Sequence, residues 1–467
     1  MLHKSADSVN MSFTLSGCNE YMVIDIRRFL LIFFLLIWAG LLAASAALAQ
    51  PAPPPPPPPN GPPAGGVIQG VTASELAYFT EGAARFREVD SVSGTQPGAT
   101  GSGLGPRFNL NSCVGCHAQP GPGGSSPRVN PQIAVATLFG AQNTIPAFIQ
   151  QNGPVRVVRF QRNPDGTPDG GVHNLFVISG RSDAAGCKIP QPDFATAVAQ
   201  NNTSFRIPTP LFGAGLVESI PDEAILANLA ANGAVKAALG ISGRVNRNGN
   251  DGTVTRYGWK AQNKSPLMFA GEAYNVEQGV TNELFPTERD ETPGCVFNAT
   301  PEDYTNLTAT TTTAAMSDIV AFAQFMRYLA PPPPAQLNAS AQRGSQVFAQ
   351  IGCIQCHTQT LQTGNAGSAA LSNKAVELFS DLAIHNMGQG LNDGVTQGLA
   401  QGTDWRTAPL WGLSTRLFFL HDGRASDIPT AIEAHGSTGS EATQVVNGYN
   451  GLTVQQKQDL VNFLQSL

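Results

Sequence analysis

Two C-x-x-C-H motifs constrain this 467-residue chain more than any other feature: Cys113-Val114-Gly115-Cys116-His117 and Cys353-Ile354-Gln355-Cys356-His357. With 7 Cys and 7 His in the sequence, random placement would supply roughly 0.002 such motifs, so two are not accidental. The spacing puts two thiols on one turn beside an imidazole. That is the attachment pattern of a c-type haem. Cys113 and Cys116, and likewise Cys353 and Cys356, would form thioethers to the porphyrin vinyl groups. His117 and His357 would be the proximal iron ligands. A C-x-x-C redox pair and two halves of a zinc site are the competing readings. The first belongs on a βαβ frame, and the second needs the pairs to meet.

Each motif sits in a similar setting. Gly82-Ala83-Ala84-Arg85-Phe86 precedes the first and Gly344-Ser345-Gln346-Val347-Phe348 the second. Both are G-x-x-x-F in a helical pattern, where a small residue lets two helices approach and the aromatic locks the crossing. Downstream, Asp318-Ile319-Val320-Ala321-Phe322 matches Asp459-Leu460-Val461-Asn462-Phe463, within amphipathic helices expected over about 314–330 and 453–467. Each half therefore reads helix, motif, excursion, closing helix. That order resembles the class I cytochrome c fold. The expected fold is mainly α, with two such domains in tandem, over 70–330 and 337–467, joined by a Pro linker at 331–336. The first carries a large insert, about 130–260, with some β-strand. There Val155–Phe160 and His173–Ile178 look like strands, and Pro221–Leu239 looks helical.

Composition fits a cofactor-filled chain. Gly numbers 49 and Pro 35, and charged residues reach only 13%, roughly half the usual share. That excludes a coiled coil and a charge-driven disordered chain. A net charge of −6 provides no basic surface for nucleic acid. Aromatic residues reach only 7%, which leaves core volume for a large apolar body such as porphyrin.

At the N-terminus, Arg27-Arg28 precede an apolar run from Phe29 to Leu42, and Ala47-Leu48-Ala49 offers a cleavage site. Residues 1–49 read as a secretory signal and the protein as periplasmic. Cleaved, the signal leaves no membrane span; uncleaved, 29–49 would anchor the chain. Met22 is an alternative start. Residues 50–69 read as a linker, with a stiff polyproline II tract from Pro51 to Pro63. In an oxidising compartment Cys187 and Cys295 pair as a disulfide, two buried free thiols being the alternative.

Further stretches resemble a known family: Gly105-Pro106-Arg107-Phe108-Asn109, Phe212-Gly213-Ala214-Gly215-Leu216-Val217-Glu218, Gly258-Trp259-Lys260-Ala261, Ser380-Asp381-Leu382-Ala383-Ile384-His385-Asn386-Met387-Gly388, Trp405-Arg406-Thr407-Ala408-Pro409-Leu410 and His421-Asp422-Gly423-Arg424-Ala425. With the two motifs, they make residues 70–467 similar to bacterial di-haem c-type oxidoreductases of the peroxidase and thiol oxidoreductase label. More distantly, the chain resembles di-haem cytochrome c peroxidases. The resemblance implies two covalently bound c-type haems and peroxide, or another small oxidant, as substrate. It also implies a small cytochrome or cupredoxin as electron donor.

A c-haem with two strong axial ligands carries electrons, and one with an open face does chemistry. Where the peroxidases place a Met ligand on the electron-transfer haem, this chain has His435. Met387 is the alternative iron ligand, and His385 and His421 read as hydrogen-bonding neighbours. Arg424 is a candidate propionate partner. For the first haem, His173 and Met268 are the available second ligands; the preferred reading is an open or weakly ligated iron. The resemblance places Glu277 near a peroxidase acid–base Glu. Trp259 reads as an electron relay or a core residue. The loop Asn246–Gly252 faintly echoes a calcium site, but Asp251 is its only carboxylate and Tyr257 stands where a closing Glu belongs, so it reads as a turn. The expected function is a peroxidase-like oxidoreductase, with electrons entering at the second haem and peroxide reduced at the first. The alternatives are a non-catalytic di-haem electron carrier and, more weakly, an oxidant of organic or protein substrates.

Overall fold

Thr72 opens the first described helix, Ala73–Arg85, with a reciprocal capping box to Glu75, and Thr453 opens the last, Val454–Leu464, in the same way with Gln456. The computed structural model describes residues 63–467. The expected signal and the linker up to residue 62 lie outside the described residues. The remainder of the linker is not a spacer. Val67 bridges Leu329, and the amides of Ile68 and Ala330 donate to the carbonyls of Tyr328 and Gly66. Gly65 and Gly66 interrupt the prolines and restore backbone donors, so the chain docks there rather than at residue 70.

Two helix crossings organise the molecule. Ala73–Arg85 packs on Asp318–Tyr328, and Ala339–Gln350 on Val454–Leu464. The G-x-x-x-F glycines sit at the contacts. A Cβ at Gly82 would lie 2.2 Å from the Ala321 carbonyl oxygen, and one at Gly344 would lie 1.9 Å from that of Asp459. Phe86 then stacks 4.7 Å from Phe325, and Phe348 lies 5.4 Å from Phe463. The equivalent residues are therefore Ala321 with Asp459 and Phe325 with Phe463. The sequence match of Asp318 with Asp459 is one helical turn out of register. A shift of three residues keeps the same helix face, so periodicity alone does not detect it.

The insert contains a three-stranded antiparallel sheet, Val157–Phe160 between Val172–His173 and Thr203–Arg206. The expected strand at 173–178 divides: Phe176–Val177 leaves this sheet to pair with Arg107–Phe108 beside the first motif. The expected helix at 221–239 also divides, into Asp222–Ala230 and Gly233–Leu239, at left-handed Asn232. Cys187 and Cys295 form a disulfide. Residues 246–255 form a hairpin in which Asp251 accepts from Thr253 and pairs with Lys264, so its carboxylate is already engaged.

Five small antiparallel sheets accompany the helices, so the described chain is mixed rather than mainly α. The abundant Gly and Pro break the chain into short strands and turns. Nor are the two crossings insulated by Pro331–Pro334. Leu378, Leu382 and Trp411 enter the core built round Phe86 and Phe325, and residues 63–467 lie within one compact unit. Among the described residues no helix is long and apolar enough to cross a membrane.

Candidate functional site

Each motif opens onto its own cavity. Cys113–Cys116 is a single helical turn, and His117 follows it with its amide bonded to the Cys113 carbonyl. His117 Nδ1 donates to the Gly124 carbonyl at 2.9 Å, which leaves Nε2 for the cavity. Cys353 and His357 repeat the arrangement, with His357 Nδ1 2.9 Å from the Phe379 carbonyl. Burial holds both imidazoles down to about 4, so they are neutral, the metal-ligating form. A backbone acceptor on Nδ1 also fixes ring orientation, as metal-ligating histidines require.

The residues fit haem. The first cavity has Cys113, Cys116 and His117 in its lining beside Phe86, Leu110, Phe269 and Phe322. The second has Cys353, Cys356 and His357 beside Phe348, Phe419, Ile432 and Leu460. Thiols, a free imidazole nitrogen and a wide apolar wall stand together in both, as a thioether-bound porphyrin needs. The four cysteines are unbridged.

Otherwise the cavities differ. In the second, His435 caps the helix Ile428–Ala434 and its Nδ1 donates to the Ala431 carbonyl at 2.6 Å, again leaving Nε2 free. Met387 also lines this cavity, packed with Leu391 and Trp405. His385 has both ring nitrogens occupied, by Asp381 at 2.9 Å and Glu441 at 2.8 Å. Burial is the largest single effect and opposes its charge, but Asp381 and Cys356 together outweigh it and the net shift is upward. Asp381, His385 and Cys356 are close enough to hold a metal ion, a grouping the motifs did not suggest. His421 stacks on Trp405 at 3.7 Å, and burial pulls its pKa well down. Arg424 is not in this lining; it pairs with Asp422 and the Gly390 carbonyl. Arg406 and Arg416 are, and sequence reasoning missed both as charged lining. Arg406 lay within one of the quoted family-like stretches, which was the available signal.

In the first cavity, His117 is the only histidine of the lining among the described residues. His173 is elsewhere, stacked on Phe160 at 3.8 Å and bonded to Asp169. Met268 does not line the cavity either; Met326 does. Glu277 lies there, half-buried on the last turn of the helix Pro266–Gln278. Burial raises its pKa to about 7, against an opposing hydrogen bond from Asn109 at 2.9 Å. A helix C-terminus also disfavours a carboxylate. Such a group exchanges a proton near neutral pH. Trp259 lines both cavities, its indole N–H on the Ile207 carbonyl, and so forms their common wall.

Residues 179–467 match the family described as "Di-haem oxidoreductase, putative peroxidase". No curated protein matches the chain. Among solved structures, the chain is similar to Kuenenia stuttgartiensis hydrazine synthase, at 19% identity over 34% of this chain and 56% of that one, with a TM-score of 0.22. It is also similar to a MauG-like protein associated with microbial copper homeostasis, at 21% identity over 32% and 52%, with a TM-score of 0.23. The matches thus span about half the length of these structures.

Proposed function

The chain belongs to the di-haem oxidoreductase family, and from that premise we propose that it is an exported peroxidase-like enzyme carrying two c-type haems in two cytochrome c-like halves, 70–330 and 337–467. Cys113, Cys116, Cys353 and Cys356 form the thioethers, and His117 and His357 bind the irons. Haem, when bound, supplies one-electron chemistry and, at an open iron, a place for peroxide.

The observation that carries this reading is the asymmetry of the cavities. Besides His357, the second presents His435 with a free Nε2, and His421 also lines it with no ring hydrogen bond among the described residues, a supply of imidazoles that suits electron transfer. The first presents one, His117, together with Glu277. Peroxide reduction takes two electrons and two protons and yields two waters. Glu277 takes the proton from the near oxygen and returns it to the departing one, while Asn109 holds the carboxylate in place. Electrons enter at the second site from a small cytochrome or cupredoxin and cross at the Trp259 wall. The buried Cys187–Cys295 disulfide supports a periplasmic location.

The test is electron paramagnetic resonance of the purified protein with and without peroxide. One low-spin and one high-spin or exchangeable ferric signal is expected. Two low-spin signals, indifferent to peroxide and cyanide, would instead establish the electron-carrier reading.

A further inference from the structure

The second cavity contains cations that no protein group among the described residues neutralises. Arg406 and Arg416 both line it, and neither forms an ion pair among the described residues. Arg406 Nε donates to the Gly258 carbonyl at 2.9 Å, and Arg416 Nη2 reaches the Pro409 carbonyl at 3.4 Å. The other guanidinium N–H groups of both lack a protein acceptor among the described residues. The one carboxylate of the lining, Glu441, is committed to His385, Ser242 and Gly243. Burial pushes both guanidinium groups down to about 10.

Buried charge without a partner is costly, and a chain keeps it where a ligand supplies the opposite charge. A porphyrin of the haem type carries two propionates. We propose that Arg406 and Arg416 bind the propionates of the second haem and, by their charge, raise its reduction potential. This rests on the di-haem reading above. The first cavity is built differently: Arg206 there is already paired with Asp393, leaving Arg159 as the cation without a carboxylate partner. The electrostatic support is therefore concentrated on the second site. Reduction adds an electron to the site, so a nearby fixed cation favours the reduced form. Arg406 has a second connection, since Gly258 lines the first cavity and the Arg406 amide donates to the Trp259 carbonyl. The residue therefore also positions the common wall.

Optical redox titration of the haem-loaded protein tests this, with Arg406→Gln, Arg416→Gln and the charge-keeping Arg406→Lys and Arg416→Lys. Each Gln variant should make reduction of the second haem about tenfold less favourable, ~59 mV for one electron, with the first haem far less affected. The Lys variants should restore most of the shift. Unchanged potentials in the Gln variants, or equal shifts in Gln and Lys variants, would overturn the proposal. A pyridine haemochrome assay on the same samples separates the two levels: fewer than two c-type haems per chain removes the di-haem reading itself, and this inference with it.

Discussion

Asn109 donates its side-chain amide to the Glu277 carboxylate at 2.9 Å, and that bond is the main opposition to the burial that lifts Glu277 to about 7. The pair therefore sets the proton affinity of the first cavity. Asn109 lies beside the first motif and Glu277 ends a helix 168 residues away.

Peroxide turnover should follow this balance. Glu277→Gln should lower kcat by roughly 10²–10⁴-fold and abolish the ionisation near pH 7. Asn109→Ala should move that ionisation to higher pH, because the bond it removes favours the carboxylate. Steady-state profiles from pH 5 to 9 read both, and an ionisation that survives in Glu277→Gln belongs to another group.

The same group makes stability depend on pH. Its folded pKa, about 7, lies above the ordinary carboxyl value of 4.5, so the folded state binds more protons between those values. The Glu277 contribution to stability is present below pH 4.5 and lost as pH rises through 7. Glu277→Gln should therefore be more stable than the parent at pH 8 and similar at pH 4. Urea denaturation at the two values reads the difference; equal gaps would assign the effect elsewhere.

His435→Ala should convert the second haem from low to high spin, since it removes the second free Nε2. Absorption and electron paramagnetic resonance report the change. An unchanged low-spin signal would transfer the ligand to Met387.

Gly344→Ala places a Cβ 1.9 Å from a backbone oxygen of the crossing helix. It should cost about 1–3 kcal/mol or more, as overpacking does. Gly249→Ala, with nothing within 4 Å, is the control and should stay near zero. Similar melting shifts in both would remove the close crossing from the account.

Replacing Cys187 and Cys295 together by Ser should cost about 2–5 kcal/mol, in the upper part of that range because the bridge closes a long loop. Denaturant midpoints measure it, and a loss below 1 kcal/mol would mean the unfolded chain is restrained in another way.

Much of this was legible in the sequence where the signal is local. The motifs, their neighbouring imidazoles and the G-x-x-x-F glycines depend on a few adjacent residues, and Cys187 was matched to Cys295 as the remaining pair. The helix register was not legible, because a shift of one turn leaves the apolar face unchanged. Arg424 was the expected propionate partner, yet Asp422, two residues away, takes its charge.

By itself, the sequence determined two C-x-x-C-H motifs and two amphipathic helix pairs and pointed to one disulfide, since each rests on local spacing or short-range periodicity. Only the tertiary structure decided that His435 keeps a free nitrogen in the second cavity while His385 has none. It also decided that Glu277 faces the first cavity and that Arg406 and Arg416 face the second without protein counter-charges. Those outcomes are set by burial and by hydrogen-bond partners, and two of these, Asn109 for Glu277 and Glu441 for His385, come from segments far apart in the chain.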